Sequence, residues 1–374
     1  MEEPSPPSPG TSPVQLKDCV GELMKFTLNS SIKGELQTGL SNHYCSNLLE
    51  EDDPSNPSLT NAASRGVPSY PLYKRLASSL YQCIQSGALC TVYNELIPVP
   101  QDDSLKKKDE ELNKLVMEKG SALLSMLKQV NFELHVQEPY FSQLNDGLKT
   151  IEGRCGVGNY KRMQSGHILL FNKCLMLQVQ DIRQYASFHE MLETESLAQV
   201  LPGVSSIDEG VQIYRNFYSE EKERSNGVLA ICVKMPTSQP HNIMASILSG
   251  LSYSGVQKLL GFVETTGTDP ELLPPPASTL LSTFLAPHNP DNLLRFEFEP
   301  TPADSEKNRH AMDVIRRLLT QCSWMNMHMI RPHGNVFEIR TDDGYGARWS
   351  GDGTKFIGFL EPYMSDGHSC GWKH

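Results

Sequence analysis

The stretch GLKTIEGR, residues 147–154, decides the fold of the chain around it. Residues 139–146 have the composition of a short helix, and Gly147 is the residue type that most often ends one. In an extended segment side chains alternate between two faces, so Glu152 and Arg154 share a face. The stretch therefore predicts a helix that stops at Gly147 and an extended segment that carries a carboxylate and a guanidinium side by side.

Predicted elements on both sides of this stretch form one small domain, residues 132–235. Apolar runs predict strands at 132–136, 167–171, 174–185 and 227–235. Asn172 and Lys173 lie between two of them and predict a hairpin turn. A helix capped by Ser205 is predicted, with an apolar face of Ile207, Val211, Tyr214, Phe217 and Tyr218. The expected result is a compact, partly closed sheet with two helices.

Five blocks of this domain resemble the ASCH family, and they occur in the family's order. The first is the pattern G-x-K-x-x-E-x-R, which residues 147–154 match at every specified position. The other blocks occupy residues 166–171 (GHILLF), 185–192 (YASFHEML), 214–223 (YRNFYSEEKE) and 227–231 (GVLAI). The resemblance implies an α+β module with a PUA-like β-barrel and a cleft beside the first block. Members of the family are regarded as RNA-binding.

The region before this domain is predicted to be helical. Residues 1–13 form a Pro/Ser-rich tail with too few apolar side chains to order itself. Residues 14–131 contain helical patterns on both sides of a linker at 50–68, and a long helix is predicted from Asp103 to about Gln129. The Leu stripes of these helices indicate a core, and the alternative is a face that binds a protein partner.

Residues 236–374 are predicted to form a separate C-terminal α+β domain. Two Pro-rich connections, 270–276 and 287–302, enclose a short helix or strand. A further helix is predicted to begin at Asp304 or Ser305. Hairpin strands are predicted at residues 324–330, 335–341 and 344–362.

A local basic island lies in a chain whose net charge is −11. Five charged side chains give residues 149–162 a net charge of +3: Lys149, Glu152, Arg154, Lys161 and Arg162. Tyr160 adds an aromatic ring that can stack on a base. Because the chain as a whole is acidic, any contact with nucleic acid is confined to such a local patch.

Together with the family resemblance, the island predicts an RNA- or nucleotide-binding cleft. Lys149 is expected to place a point charge on phosphate. Glu152 is expected to hold Arg154 so that it directs donors at a phosphate or a base edge. The alternative interpretation is a surface ion pair followed by a solvated loop.

Hydrolysis is the alternative function. Some small bacterial relatives in the family hydrolyse acetylated cytidine nucleosides, and others are described as ribonucleases. For the former, the resemblance implies a nucleophilic Thr three residues after the Lys, but Glu152 occupies that position after Lys149, so the nucleophile is missing. A Lys149–Glu152 pair can still act as acid and base on a bound water. We therefore predict a binding protein first, and an amidohydrolase or ribonuclease second.

The remaining features predict an intracellular protein without a cofactor. The nine Cys are odd in number and form no CxxC, which indicates reduced thiols. The N-terminus lacks the pattern of a secretory signal or transit peptide, and no apolar run is long enough for a membrane span. Cytoplasm or nucleus is the expected location. No metal site is predicted, because the spacing of the C-terminal candidates fits no common site: His328, His333, His368, Cys370 and His374.

Overall fold

The computed structural model describes residues 14–52, 65–88, 103–265, 267–285 and 304–362. Within these ranges the chain divides into two compact units. The first takes residues 14–27 and 118–246, and the second takes the other described residues. The domain boundaries predicted near residues 131 and 235 stay predictions. None of the helices in these ranges is long and apolar enough to cross a membrane.

The helices and strands of the described residues follow the predicted mixture of α and β elements. The helices are α1 Leu16–Ile32, α2 Asn42–Leu49, α3 Leu72–Ser86, α4 Asp103–Leu127, α5 Tyr140–Asn145, α6 Phe188–Thr194, α7 Leu197–Val200, α8 Ile207–Arg215, α9 Glu220–Asn226, α10 Pro240–Leu260, α11 Ala277–Leu285 and α12 Asp304–Gln321. The strands are β1 Phe132–Leu134, β2 Ile151–Cys155, β3 Ile168–Phe171, β4 Leu175–Tyr185, β5 Val228–Lys234, β6 Trp324–Ile330, β7 Gly334–Arg340, β8 Gly346–Ser350 and β9 Phe356–Leu360.

The first unit is built on a five-stranded sheet with the order β1-β3-β4-β5-β2, curled into a half-barrel. Only β1 and β3 pair in parallel, and the other neighbours are antiparallel. The α+β fold with a PUA-like curled sheet is therefore confirmed. β5 lies between β4 and β2, which explains why its sequence is an almost continuous apolar run.

The hairpin between β3 and β4 has the predicted turn. Asn172 and Lys173 have φ angles of 48° and 61°. Two successive residues with positive φ are typical of the tight turn whose twist matches that of the flanking strands, and Asn adopts this conformation more readily than most residues. The turn fixes the register, which pairs Phe171 with Leu175 and Leu170 with Met176.

The helical prediction between β4 and β5 was wrong in detail. The single helix expected after Ser205 is two helices, α8 and α9, and α6 and α7 were not predicted. Ser206 caps α8 by accepting a hydrogen bond from the backbone N–H of Glu209, and the backbone N–H of Ser205 donates to the Glu209 carboxylate. Ser219 caps α9 by accepting a hydrogen bond from the backbone N–H of Lys222, so a new helix starts where one was expected to continue.

The second unit contains the four-stranded antiparallel sheet β6-β7-β8-β9. These strands confirm the hairpins predicted in residues 324–362. Trp349, Phe337 and Ile339 are fully buried on the apolar face of the sheet, and α12 packs against β7 and β8. Of the two forms predicted after residue 276, the structure has a helix, α11. The predicted tail at 1–13 and the predicted Pro-rich connection at 287–302 lie outside the described residues, as does the chain after residue 362.

Candidate functional site

A turn and an edge strand carry the motif of residues 147–154. Gly147 follows α5 with φ 72°, a conformation that favours glycine, and its N–H donates to the carbonyl oxygen of Leu144. The backbone N–H of Lys149 then donates to the carbonyl oxygen of Gln143, which ties the turn to the helix. β2 begins at Ile151 and pairs with β5 on one side. The motif therefore lies at the end of the curled sheet.

Three charged side chains of the motif form one buried ion network. Glu152 Oε2 lies 3.1 Å from Lys149 Nζ, and Glu152 Oε1 accepts a hydrogen bond of 2.7 Å from Arg154 Nε. Lys149, Glu152 and Arg154 are 2%, 7% and 9% exposed, so these are not surface pairs. One carboxylate faces two cations, and the network has a net charge of +1.

Backbone carbonyl groups complete the network. Lys149 Nζ donates to the carbonyl oxygens of Ile151, at 2.9 Å, and Val200, at 2.5 Å. With Glu152 as the third acceptor, all three N–H donors of the Lys149 ammonium have partners. Arg154 Nη2 donates to the carbonyl oxygen of His135 at 2.7 Å. The network is therefore held rigidly in place before any ligand binds.

The network determines which protonation states are favoured. Burial raises the pKa of Glu152, but the nearby Lys149 and Arg154 outweigh burial, and the pKa lies below its ordinary value. Burial lowers the pKa of Lys149, and Glu152 opposes this in part. Glu152 is consequently a carboxylate at neutral pH, which makes it a good hydrogen-bond acceptor and a weak general base.

The network forms one wall of a cleft with a cavity volume of about 140 Å³. About 10–15 Å³ of such space holds one water molecule, so the cleft has room for a group of nucleobase size. Its other walls are mainly aromatic and apolar side chains: Val136, Tyr140, Leu201, Ile213, Tyr214, Phe217 and Tyr218. Phe217 is 46% exposed, so part of its side chain is open to solvent.

Two of the wall residues are fixed from behind by Phe188. Its ring stacks on Tyr214 with 4.1 Å between ring centroids, and on Tyr218 with 5.4 Å. The buried hydroxyl group of Tyr214 has no hydrogen-bond partner. A buried polar group without a partner costs free energy, so packing of the ring, and not a hydrogen bond, holds Tyr214 in this position.

Gly153 allows the strand to approach Tyr214 closely. A Cβ at this position would overlap the Tyr214 hydroxyl and would lie 2.8 Å from Cε of Met191. Any other residue would have to displace the tyrosine from the wall of the cleft. The glycine within the E-G-R segment is therefore a requirement of packing.

The sequence-predicted site residues divide into two groups. Lys149, Glu152 and Arg154 lie together in the wall of the cleft. Lys161 and Arg162 are exposed on a 3-10 turn, Gly158–Arg162, and are not among the residues that line the cleft. Tyr160 is only 4% exposed, so its ring is covered and stacking on it would require the turn to move.

The aromatic walls were not predicted as site residues. Tyr214 and Tyr218 belong to a sequence block that carries the family resemblance, and Phe217 lies between them. Sequence reasoning assigned all three to the apolar face of one helix. The signal that could have separated them is the spacing of Ser206 and Ser219, which places Phe217 and Tyr218 between two helix caps.

Comparison with known families decides the identity of this unit. Residues 134–237 match the family model of the ASCH domain. These residues form an ASCH domain. Two solved structures are similar to it: hypothetical protein PH0355 has 44% sequence identity, a TM-score of 0.27 and coverage of 28% of this chain and 97% of its own. Protein PF0455 from Pyrococcus furiosus has 42% identity, a TM-score of 0.26 and the same coverage values.

A second family model matches outside the ASCH domain. Residues 284–361 match the CdiA C-terminal tRNase toxin domain, a segment that includes α12 and the sheet β6-β7-β8-β9. No curated protein matches the chain. Among the described residues, no group of three or more His, Cys, Asp or Glu side chains is arranged to hold a metal ion.

Proposed function

We propose that the ASCH domain binds RNA or a nucleotide by taking one unstacked base into the cleft. The observation that carries this proposal is the combination of a buried, net-positive ion network on one wall with aromatic rings on the others. Proteins that recognise single-stranded RNA splay bases out, stack them on aromatic rings and form hydrogen bonds with their edges. The cleft offers each of these contacts.

Within the network, Arg154 is the better candidate for direct contact with the base. All three donors of Lys149 already have acceptors in the protein. Arg154 has five N–H donors, and its hydrogen bonds to Glu152 and His135 use two of them. Lys149 and Glu152 then act by fixing the guanidinium, and Arg154 presents donors to acceptors on the base.

Phosphate contacts are proposed for the exposed pair Lys161 and Arg162. Both side chains are reachable from solvent and lie on the turn that follows β2. Proteins usually contact the bases and the phosphate backbone of a nucleic acid with different side chains. The phosphate contacts position the nucleic acid, and the base contacts determine which sequence is bound. The chain's net charge of −11 confines such contacts to this local basic group.

Binding of a fluorescent single-stranded RNA to the full chain tests the proposal. Phe217→Ala removes an exposed ring from the cleft, and loss of base stacking of about 1–3 kcal/mol predicts an affinity lower by about 5- to 150-fold. Leu148→Ala is the matched control, because Leu148 is 60% exposed and is not part of the cleft lining. Equal affinities of the two variants for RNA would contradict base binding in the cleft.

Hydrolysis at Lys149 and Glu152 has less support. Lys149 has no unused donor, and Glu152 is a weak base because its pKa is held below the ordinary value. The test is incubation of the wild type and Lys149→Ala with acetylated cytidine, followed by mass spectrometry. Turnover by the wild type that is lost in a folded variant would favour hydrolysis over binding.

A second candidate function concerns the C-terminal segment. The observation that favours it is the match of residues 284–361 to a family model named for a tRNase toxin domain. We propose on this basis that the segment cleaves RNA, so that one unit of the chain binds RNA and the other acts on it. Incubation of the full chain with tRNA and with unstructured RNA tests this candidate, and intact substrates would contradict it.

A further inference from the structure

The strand β2 lies at one end of its sheet, so only one of its two edges pairs with another described strand, β5. Two hydrogen bonds at the ends of this pairing show which residues bond to β5. The backbone N–H of Val233 donates to the carbonyl oxygen of Thr150, and the backbone N–H of Gly156 donates to the carbonyl oxygen of Gly227. Because hydrogen-bonded and non-bonded pairs alternate in an antiparallel ladder, every second residue from 150 to 156 bonds to β5.

The other residues of β2 direct their backbone groups to the free edge: Ile151, Gly153 and Cys155. The carbonyl oxygen of Ile151 accepts from Lys149 Nζ, and that of Cys155 accepts from the N–H of Val157 at 2.8 Å. Among the described residues, no group pairs with the N–H or the carbonyl oxygen of Gly153. Gly153 is buried, and buried backbone groups nearly always have partners. Its two groups therefore need a partner from outside the chain, either water or a ligand that displaces it.

The free edge of β2 opens into the cleft of the ASCH domain. The side chains of Glu152 and Arg154 lie on one face of the strand. A Cβ at Gly153 would point from the opposite face toward the Tyr214 hydroxyl. All four residues line the cleft, so the cleft reaches both faces of the strand and passes around an edge. The inner edge is occupied by β5, and the N–H and C=O of Gly153 therefore face the cleft.

A donor and an acceptor on one strand residue recognise a specific kind of ligand edge. In an extended strand the N–H and C=O of one residue point the same way, and a ligand pairs with both when it carries an acceptor next to an N–H. The Watson–Crick edge of a nucleobase has this arrangement. A peptide added as a further strand would need the neighbouring edge groups as well, but the carbonyl oxygens of Ile151 and Cys155 already have donors. The edge therefore suits a base better than a peptide.

Unused donors outnumber unused acceptors at this edge. Arg154 keeps three of its five N–H donors after its bonds to Glu152 and His135, and Gly153 adds a fourth. Of the carbonyl oxygens on the free edge of β2, only that of Gly153 has no donor among the described residues. The two oxygens of Glu152 already face Lys149 and Arg154. A matching base therefore offers several acceptor lone pairs and a single N–H.

Uracil matches this count better than the other bases of RNA. It carries one ring N–H between two carbonyl oxygens, and each oxygen has two lone pairs. Adenine and cytosine carry an amino group with two N–H donors, and guanine carries an amino group and a ring N–H. With one free acceptor on the edge, each of these bases would leave an N–H without a partner there.

We propose that the cleft selects uracil through the free edge of β2. The carbonyl oxygen of Gly153 accepts from the ring N–H of the base, and the N–H of Gly153 donates to the adjacent carbonyl oxygen. Arg154 donates to the carbonyl oxygens of the same base, one of which can accept from both residues because it has two lone pairs. This assignment rests on the proposed binding of a base in the cleft, and it names the base.

The test compares four short single-stranded RNA homopolymers, each labelled with a fluorophore, for binding to the full chain. They contain uridine, cytidine, N3-methyluridine or 5-methyluridine. The N3-methyl group removes the N–H that pairs with Gly153, and one unpaired buried group predicts an affinity lower by about 5- to 150-fold. The cytidine strand should lose affinity by a similar factor. The 5-methyluridine strand is the matched control, because the same methyl group lies outside the paired edge and should leave the affinity unchanged.

Hydrogen exchange reports on the backbone of β2 directly and needs no substitution that could prevent folding. The exchange of the Gly153 N–H is measured by mass spectrometry with fragmentation to single residues, with and without the uridine strand. We expect slower exchange at Gly153 in the complex and no change with the N3-methyluridine strand at the same concentration. The N–H of Cys155 is the internal control, because it faces the same edge but Cys155 does not line the cleft.

The outcomes separate failure of the proposed function from failure of the uracil assignment. If neither these strands nor a single-stranded RNA of mixed sequence binds, both are overturned. If RNA binds but the cytidine or N3-methyluridine strand binds as tightly as the uridine strand, only the uracil assignment is overturned. Equal loss with both methylated strands would indicate exclusion by size and would also overturn it. Unchanged exchange at Gly153 in a complex with the uridine strand would overturn the pairing with β2.

Discussion

Replacement of Glu152 by Gln is the sharpest perturbation of the ion network in the ASCH domain. The change keeps the shape of the side chain and removes its charge. It leaves Lys149 and Arg154 as two cations that are 2% and 9% exposed, without the carboxylate that faces both. Breaking a buried ion pair in this way typically costs about 3–5 kcal/mol.

Protonation chemistry sets an upper limit on this cost. The variant can relieve the repulsion by releasing the proton of Lys149, whose ordinary pKa is 10.5. At pH 7 the release costs about 1.36 kcal/mol for each of 3.5 pH units, or about 4.8 kcal/mol. The limit agrees with the range for broken buried pairs, so we expect a loss of about 3–5 kcal/mol at pH 7.

The loss should shrink as the pH rises. Lys149 has a lower pKa in the folded chain than in the unfolded chain, so the unfolded chain binds more protons between the two values. The free energy of unfolding therefore rises with pH in that window, below 10.5. In the wild type, Glu152 opposes the lowering of the Lys149 pKa. Removing the carboxylate therefore lowers the pKa of Lys149 in the folded variant further. The free energy of unfolding of the variant then rises over a wider range of pH, and between pH 7 and pH 9 it rises more steeply than that of the wild type.

A local probe is needed because all three Trp lie at residue 324 or later, outside this unit. Cys155 is fully buried in β2 and serves as the probe. Its reaction with a thiol reagent is followed against urea concentration at pH 7 and pH 9 by peptide mass spectrometry. With an m-value of about 1–3 kcal/mol per molar urea, the predicted loss moves the midpoint by about 1–3 M or more.

The control is Glu193→Gln, since the Glu193 side chain is 69% exposed and should contribute less than about 0.5 kcal/mol. A second control is the double variant with Lys149→Met, which removes one of the two stranded cations and should recover part of the loss. The reasoning is refuted if Glu152→Gln loses less than about 1 kcal/mol at pH 7. It is also refuted if the difference from wild type is the same at pH 7 and pH 9.

Two further perturbations test the cleft and its surroundings. Gly153→Ala places a methyl group on the Tyr214 hydroxyl, and overpacking of this kind should lower the free energy of unfolding by about 1–3 kcal/mol. The same labelling assay measures this loss, and RNA binding should weaken as well. Unchanged stability would show that the tyrosine moves freely. Lys161→Ala with Arg162→Ala should lower the salt dependence of RNA affinity by about 0.7 for each lost phosphate contact. Lys128→Ala, an exposed cation of the same unit, should leave that slope unchanged, and equal slopes in all variants would exclude the turn as a phosphate site.

The sequence predicted those parts of the fold that depend on short-range patterns. Strand alternation correctly placed Glu152 beside Arg154, and the Asn172-Lys173 turn follows from local backbone preferences. The cap at Ser206 was missed by one residue, because adjacent serines offer the same side chain and only Ser206 has the geometry to accept from the third N–H of the helix.

The family resemblance implied a cleft beside the motif, but its aromatic walls were beyond sequence reasoning, because they come from distant segments. Tyr140 precedes the motif, and Phe217 follows it by more than 60 residues. The burial of Lys149 was also not predictable, since its acceptor at Val200 belongs to a helix that no sequence pattern indicated. A lysine expected to meet phosphate is therefore enclosed by carbonyl groups, and its contribution is to the position of Glu152 and Arg154.

The same E-x-R strand motif occurs in both units, but its surroundings differ. Glu152 with Arg154 and Glu338 with Arg340 are both E-x-R pairs, joined by Nε–Oε1 bonds of 2.7 and 2.8 Å. In the ASCH domain the third charged partner is Lys149, which is enclosed, so the pair becomes a fixed wall. In the C-terminal sheet the third partner is Arg348, whose side chain is 21% exposed. It lies beside Gly358, where a Cβ would meet nothing within 4 Å. Here the pair supports a hydrogen-bond donor that is partly exposed to solvent. The burial of the third partner, which neighbouring strands and helices determine, therefore decides whether an E-x-R strand encloses its charged partner or leaves that partner partly exposed to solvent.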